Sequence, residues 1–236
     1  MRQLVLDIAP PDAPAFANFV AGANREGLAA VEHLAAGTGN EPRLYLWGEA
    51  GSGKSHLLRA AVTAAGPGAG YVAAADALPA PEAVPRGALL AVDDVDRLDA
   101  DAQIALFSLS NAAAAGLCRL LVAGAHAPAR LRLRPDLATR LGAGLVFRLQ
   151  PLTDEEKADA LRRHAHGRGL RLSDEAISYL LVHARRDLPS LLALLDALDR
   201  YSLAAKRAVT VPLIREVLEP GMDLNVRGVE PKGPGC

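Results

Sequence analysis

Short, unbroken apolar runs alternate with helically spaced apolar positions over the first two thirds of the chain. Arg43-Leu44-Tyr45-Leu46-Trp47, Tyr71-Val72-Ala73-Ala74, Leu89-Leu90-Ala91-Val92, Cys118 to Ala123 and Leu145-Val146-Phe147-Arg148-Leu149 read as strands. Continuous apolar runs of this length, bounded by Gly, Pro or Asp, suit parallel strands covered on both faces. Between them, Asn24 to Ala36 places Leu28, Val31 and Leu34 at helical spacing, and Ser55 to Ala61 and Asp101 to Ala115 also read as helices. That alternation predicts a parallel sheet with right-handed crossovers. Gly37 to Pro42, Gly66 to Gly70 and the proline-rich Ala77 to Arg86 read as connections.

From Thr153 onward the pattern is helical only. Thr153 with Glu156 forms a capping-box sequence, and Ser173-Asp174-Glu175, Asp187-Leu188-Pro189-Ser190 and Val211-Pro212 each open a further helix. The predicted organisation is therefore an extended leading segment over 1–22, an α/β domain over 23–151 and a small all-helical domain over 152–220. Residues 221–236 lack periodicity and read as a disordered tail. Pro10, Pro11 and Pro14 keep the leading segment out of any helix.

The chemistry begins where the first strand ends. Gly48-Glu49-Ala50-Gly51-Ser52-Gly53-Lys54-Ser55 fits the phosphate-loop pattern G-x-x-x-x-G-K-[ST] at every fixed position, in the strand–loop–helix context that the pattern needs. Loop amides and the following helix N-terminus, with His56 beside it, make an anion site for ADP or ATP. Lys54 is expected on the β- and γ-phosphates, and the Ser55 hydroxyl on Mg2+. Asp93 and Asp94 follow the buried Leu89–Val92 strand. Asp93 is assigned to the magnesium shell and Asp94 to orienting water.

A polar side chain at the end of the Cys118–Ala123 strand would stand next to the γ-phosphate, but the chain has Ala123-Gly124-Ala125-His126 there. His126 is either its substitute or a surface-loop histidine. Pro135-Asp136-Leu137-Ala138-Thr139-Arg140-Leu141 opens a short helix that sets Arg140 beside the apolar anchors Leu137 and Leu141. An arginine so placed can serve as an arginine finger to a neighbouring nucleotide.

Composition narrows the rest. The chain has 236 residues, 50% of them hydrophobic, and a net charge of −1, so no global field draws it onto nucleic acid. Cys118 and Cys236 belong to no metal-spaced cluster, and His164 and His166 sit two apart on a helix, facing different ways. Without a membrane-length apolar run or a secretion signal, a cytoplasmic, soluble protein is expected.

Together, Gly48–Ser55, Asp93-Asp94, Pro135–Leu141 and the helical tail resemble an AAA+ ATPase of the DnaA initiator clade, over residues 16–220. Ala15-Phe16-Ala17-Asn18-Phe19-Val20 is similar to that clade's lead into the ATPase domain, and Pro135–Leu141 to its arginine-finger box. The chain stops after the helical lid, and Gln3-Leu4-Val5-Leu6-Asp7-Ile8 is similar to the peptide with which bacterial proteins dock on the replicative sliding clamp. These two features resemble the Hda family, the regulatory inactivators of DnaA.

The resemblance implies a clamp-docked, adenine-nucleotide-bound regulator that stimulates hydrolysis of DnaA-bound ATP and so restrains replication initiation. Its partners would be DnaA and the DNA polymerase III sliding clamp, the latter through Gln3, Leu4, Leu6 and Ile8. Weak intrinsic ATPase activity, no strong direct DNA binding and a possible homo-oligomer are expected. The alternative is an autonomous ATPase acting as a helicase or transposition loader. Three departures from the family stand out. Ala125 replaces a polar sensor residue, and Leu194 lies where the initiator's sensing arginine would fall. The Ala73–Arg86 connection also leaves little room for a DNA-contacting insertion.

Overall fold

A computed structural model describes residues 13–74, 76–185 and 187–218, which fall into two compact units meeting in sequence between Leu152 and Thr153. The peptide Gln3–Ile8 and residues 221–236 lie outside the described residues. No helix among those described is long and apolar enough to cross a membrane.

The first unit is a five-stranded sheet flanked by helices. Its strands are β1 (Arg43–Trp47), β2 (Gly70–Val72), β3 (Leu89–Val92), β4 (Arg119–Gly124) and β5 (Leu145–Arg148). All are parallel, in the order β2-β3-β4-β1-β5. Period-two alternation assigns each strand's side chains to two faces. Leu44, Leu46, Leu89, Ala91, Leu121 and Ala123 pack with α1 (Arg25–Ala36) and α2 (Lys54–Ala65). Tyr45, Leu90, Val92, Leu120 and Val122 pack with α3 (Ala100–Ala114) and α4 (Pro135–Gly142). Because both faces are covered, β3 is buried at all four positions. β5 is an edge strand, and Leu145 and Val146 remain exposed. Within the leading segment that the sequence reads as extended, Phe16–Asn18 and Gly22–Asn24 are single 3-10 turns.

The second unit consists of α5 (Asp154–Gly167), α6 (Asp174–His183), α7 (Leu188–Ala205) and α8 (Val211–Leu218) around an apolar core that includes Leu161, Ile177, Leu180, Leu191, Leu195, Leu198 and Leu213. Its helices start where side chains satisfy the free first-turn amides. Thr153 and Glu156 form the reciprocal capping box, with Thr153 Oγ1 accepting from the Glu156 amide at 3.2 Å and Glu156 Oε2 from the Thr153 amide at 2.8 Å. Ser173 caps α6 and Asp187 caps α7.

Candidate nucleotide site

The strand order sets the geometry of the site. β4 lies between β1 and β3, so the loop leaving β1 and the carboxylates leaving β3 flank the carboxyl end of β4. In a parallel sheet, this end of the strands is where ligands bind.

The loop over Gly48–Gly53 turns into α2 through Gly53, whose φ of 94° is left-handed. A Cβ at Gly53 would stand 2.7 Å from Phe19 Cε2. Any other residue would therefore be strained in its backbone and would collide with the leading segment. His56 Nε2 donates to the Ala15 carbonyl at 3.0 Å, and its ring centroid is 5.5 Å from that of Phe19. His56 thus ties the leading segment onto the start of α2.

Lys54 Nζ donates to the carbonyls of Gly48 (2.7 Å) and Glu49 (2.9 Å), which holds the ammonium inside the loop. Burial lowers its pKa, against the pull of Asp93, Asp94 and Asp96, which favour the charged form. Ser55 is exposed on the first turn of α2.

Two observations fit this loop to a phosphate group. The first is at the helix N-terminus. α3, α5, α6 and α7 are capped by Asp99, Thr153, Ser173 and Asp187. α2, like α1 and α4, has no side-chain cap, and it alone of the three starts at a glycine, Gly53 of the phosphate-loop pattern. Its first-turn amides are free for an anion, which the helix dipole also favours. The second is Ser52 Oγ, buried and without a hydrogen-bond partner among the described residues.

Asp93 is 2% exposed, and both its oxygens are engaged. Oδ2 accepts from the Tyr71 hydroxyl at 2.8 Å and Oδ1 from the Asp94 amide at 3.0 Å. Burial first, then the hydrogen bond to Asp93, pushes the Tyr71 phenol up to about 12. Asp94 has φ 51°, a left-handed conformation that aspartate tolerates better than most residues. Its pKa is raised by burial and by the charges of Asp93 and Asp96. Among the described residues no group of three His, Cys, Asp or Glu side chains could hold a metal. A cation at Asp93 would take its remaining ligands from Ser55, phosphate and water, the way Mg2+ is commonly held beside phosphates.

At the end of β4, the Ala125 amide donates to Asp96 Oδ1 at 2.9 Å. The Tyr45 hydroxyl donates to the His126 carbonyl at 2.8 Å, while the His126 side chain is exposed. Gly124 passes so close to Tyr45 Oη that a Cβ there has no room. This strand end is therefore tied down by Tyr45 and Asp96.

Arg140 is exposed on the last turn of α4, between the buried Leu137 and Leu141, with its guanidinium 5.9 Å above the Phe107 ring. In the helical unit, Leu194 is 6% exposed and packs in that unit's own core. Asp196 accepts from His164 at 2.5 Å and pairs with Arg168 at 3.0 Å, bracing α7 on α5.

Tyr71, Asp96, Phe19 and the Ala15 carbonyl escape sequence reasoning because their partners are distant in the chain. Only the covariation of two strands, or a structure, brings them together. The weak signal available was an aromatic residue, Tyr71, within a short edge strand.

Residues 154–218 match the family described as Hda, lid domain. The chain is similar to domain III of the Thermotoga maritima replication initiation protein DnaA, with TM-score 0.70 and 20% identity, covering 91% of this chain and 100% of that one. It is also similar to AMPPCP-bound DnaA from Aquifex aeolicus (TM-score 0.64, 22% identity, 84% and 71% covered). The Thermotoga maritima RuvB Holliday junction branch migration motor gives TM-score 0.61 at 18% identity, with 82% and 67% covered. The fold is that of a P-loop AAA+ domain followed by a helical lid. Within that fold, the family match is confined to the second unit, whose residues 154–218 match the Hda lid domain, and the likeness to DnaA is one of fold.

Proposed function

We propose that this protein is an adenine-nucleotide-bound regulator that presents Arg140 to ATP held by DnaA. Docked on the DNA-loaded sliding clamp through Gln3, Leu4, Leu6 and Ile8, it stimulates hydrolysis of that ATP and so restrains replication initiation. One contrast carries the reading. The chain's own site has no polar side chain at Ala125, whereas Arg140 is displayed outward on a firmly anchored helix. Residues 128–148 contain five arginines (130, 132, 134, 140 and 148) and one acid, Asp136, a net charge of +4 in a chain of net −1. A basic stretch of chain carrying the finger suits an approach to a triphosphate and gives the encounter a salt dependence.

In this chain's own site, Gly48–Ser55 and His56 form the nucleotide cradle, and Lys54 supplies positive charge to the β- and γ-phosphates. Ser55 and Asp93 hold Mg2+, which neutralises phosphate charge when bound. Asp94 orients water, and without a sensor side chain hydrolysis at this site is slow. The bound nucleotide acts mainly as structure, stabilising the fold by linkage. ATP hydrolysis in the complex depends on Arg140, in the role of an in-trans arginine finger.

The deciding experiment is single-turnover hydrolysis of labelled ATP preloaded on DnaA, with and without this protein and DNA-loaded clamp. Acceleration that needs both components is expected. It should fall by on the order of 1,000-fold in Arg140→Ala and be lost when Gln3 and Leu4 become alanine. Undiminished acceleration by Arg140→Ala would refute the in-trans role. Fast multiple-turnover hydrolysis by the purified protein alone is the result that a helicase or transposition loader would give.

A further inference from the structure

The carboxylate assigned to magnesium is aimed by a side chain on another strand. Tyr71 stands on β2 opposite Ala91 of β3, and its hydroxyl crosses to Asp93 Oδ2 at 2.8 Å. Arg59 of α2 lies 4.0 Å over the Tyr71 ring centroid and holds the phenol from the helix side. α2 therefore carries the loop's Lys54 and Ser55 at its start and, one turn further on, the guanidinium that seats Tyr71. With the Asp94 amide on Oδ1, Asp93 cannot change rotamer without losing a hydrogen bond in a nearly buried site. Each of its oxygens keeps a lone pair, and the two donors fix where those lone pairs point.

We propose that Tyr71 is the positioning residue of the cation site, orienting Asp93 for a divalent ion held jointly with nucleotide phosphate. The inference rests on the reading of Asp93 as a metal ligand. Donors that orient a ligating carboxylate govern metal affinity, and their loss weakens it. A hydroxyl serving only to satisfy a buried carboxylate would change thermal stability and leave the metal dependence of binding alone.

Tyr71→Phe is the informative variant, since it keeps the ring under Arg59 and removes only the donor. Binding of a fluorescent ADP would be titrated in Mg2+ and, separately, in excess chelator, with Asp93→Asn alongside. In Tyr71→Phe the Mg2+ concentration for half-maximal enhancement should rise on the order of tenfold, with chelator affinity unchanged. Asp93→Asn should abolish the enhancement, and Tyr71→Phe added to it should change nothing further. A wild-type Mg2+ curve in Tyr71→Phe, with Asp93→Asn still abolishing enhancement, would overturn the role of Tyr71 and leave the metal ligand standing. Equal weakening of Tyr71→Phe binding with and without Mg2+ would also overturn it, since the hydroxyl would then support the site generally. If Asp93→Asn retained the enhancement, the metal-ligand reading and this inference would fall together.

Discussion

The two units of this chain build their interiors from different materials. Among the described residues, the buried polar side chains are Asn24, Ser52, Asp93 and Ser110, all in the sheet unit. Ser52 and Asp93 belong to the candidate site. Asn24 exchanges two hydrogen bonds, each 2.8 Å, with the backbone of Gln150, pinning the chain as it leaves β5. The lid's buried side chains are all apolar, and its polar groups work at helix ends and in surface pairs such as Arg162–Asp159 and Arg162–Asp174. A buried polar group costs free energy unless something satisfies it. Asn24 is satisfied by backbone and serves packing, Ser110 Oγ on α3 has no partner among the described residues, and Ser52 and Asp93 lie where a ligand could use them. The sheet unit is shaped in part by what it would bind, and the lid by its own packing.

The largest test of this contrast is Leu195→Ala in the lid, where Leu195 is 0% exposed. Deleting that side chain should cost about 2–5 kcal/mol. Trp47 is the protein's one tryptophan and lies in the sheet unit, whereas far-ultraviolet dichroism reports helices of both. The dichroism transition should move to lower temperature while the Trp47 fluorescence transition holds. Equal shifts in both would show that the two units unfold as one.

The reciprocal change is Gly124→Ala, where the added Cβ meets Tyr45 Oη and, at 3.1 Å, Val95 Cγ2. Tyr45 cannot easily move aside because its hydroxyl is fixed on the His126 carbonyl. Overpacking of this kind costs about 1–3 kcal/mol, and here the Trp47 transition should fall. A variant as stable as the parent would mean that the β4 end relaxes freely, contrary to the rigid strand end described above.

These variants also show how far the sequence was legible. Strands whose two faces are both buried announce themselves as apolar runs, so β1, β3 and β4 were readable within a residue or two. The lid's helix starts were readable because capping is local: Thr153 and Glu156 are three residues apart and bond each other. The loop was readable because its pattern is contiguous. What remained hidden were pairs joined only by the fold: Tyr71 with Asp93, 22 residues apart, Asp96 with Ala125, 29 apart, and His56 with Ala15, 41 apart. Leu194 shows the converse limit. A position aligned to a sensing residue by resemblance is, in the folded lid, a core side chain.

The third test uses alkali. Tyr71 has its pKa pushed up to about 12 from 10.0, and burial also raises that of Tyr45. Both tyrosines are in the sheet unit. A raised folded-state pKa contributes stability that is fully present below the unfolded value and lost as pH rises through the folded one. The Trp47 transition should therefore hold up to about pH 10 and decline toward pH 12, and Tyr71→Phe should blunt the decline. An identical decline in that variant would assign the alkaline loss to Tyr45 or to other groups.

The smallest effect separates the two kinds of helix start. Asp187 accepts from the Ser190 amide at 3.0 Å to cap α7, whereas α2 has glycine there. Burial tends to raise the Asp187 pKa, but the Ser190 hydrogen bonds and Arg185 more than offset it, and the net shift is downward. The Arg185 contribution is slight, since that side chain is 84% exposed. Asp187→Ala should cost about 1 kcal/mol at neutral pH. A depressed carboxylate pKa contributes stability that is present above the unfolded value and lost as pH falls through the folded one. The gap between parent and variant should therefore close on acidification, measured as the dichroism transition against pH. Added ADP should leave that gap unchanged while raising the Trp47 transition, because the α2 amides take their cap from solution. If the gap instead stayed constant down to the lowest workable pH, the cap would owe its strength to packing around Leu188 and Pro189. The distinction between self-capped and ligand-capped helices would then rest on α2 alone.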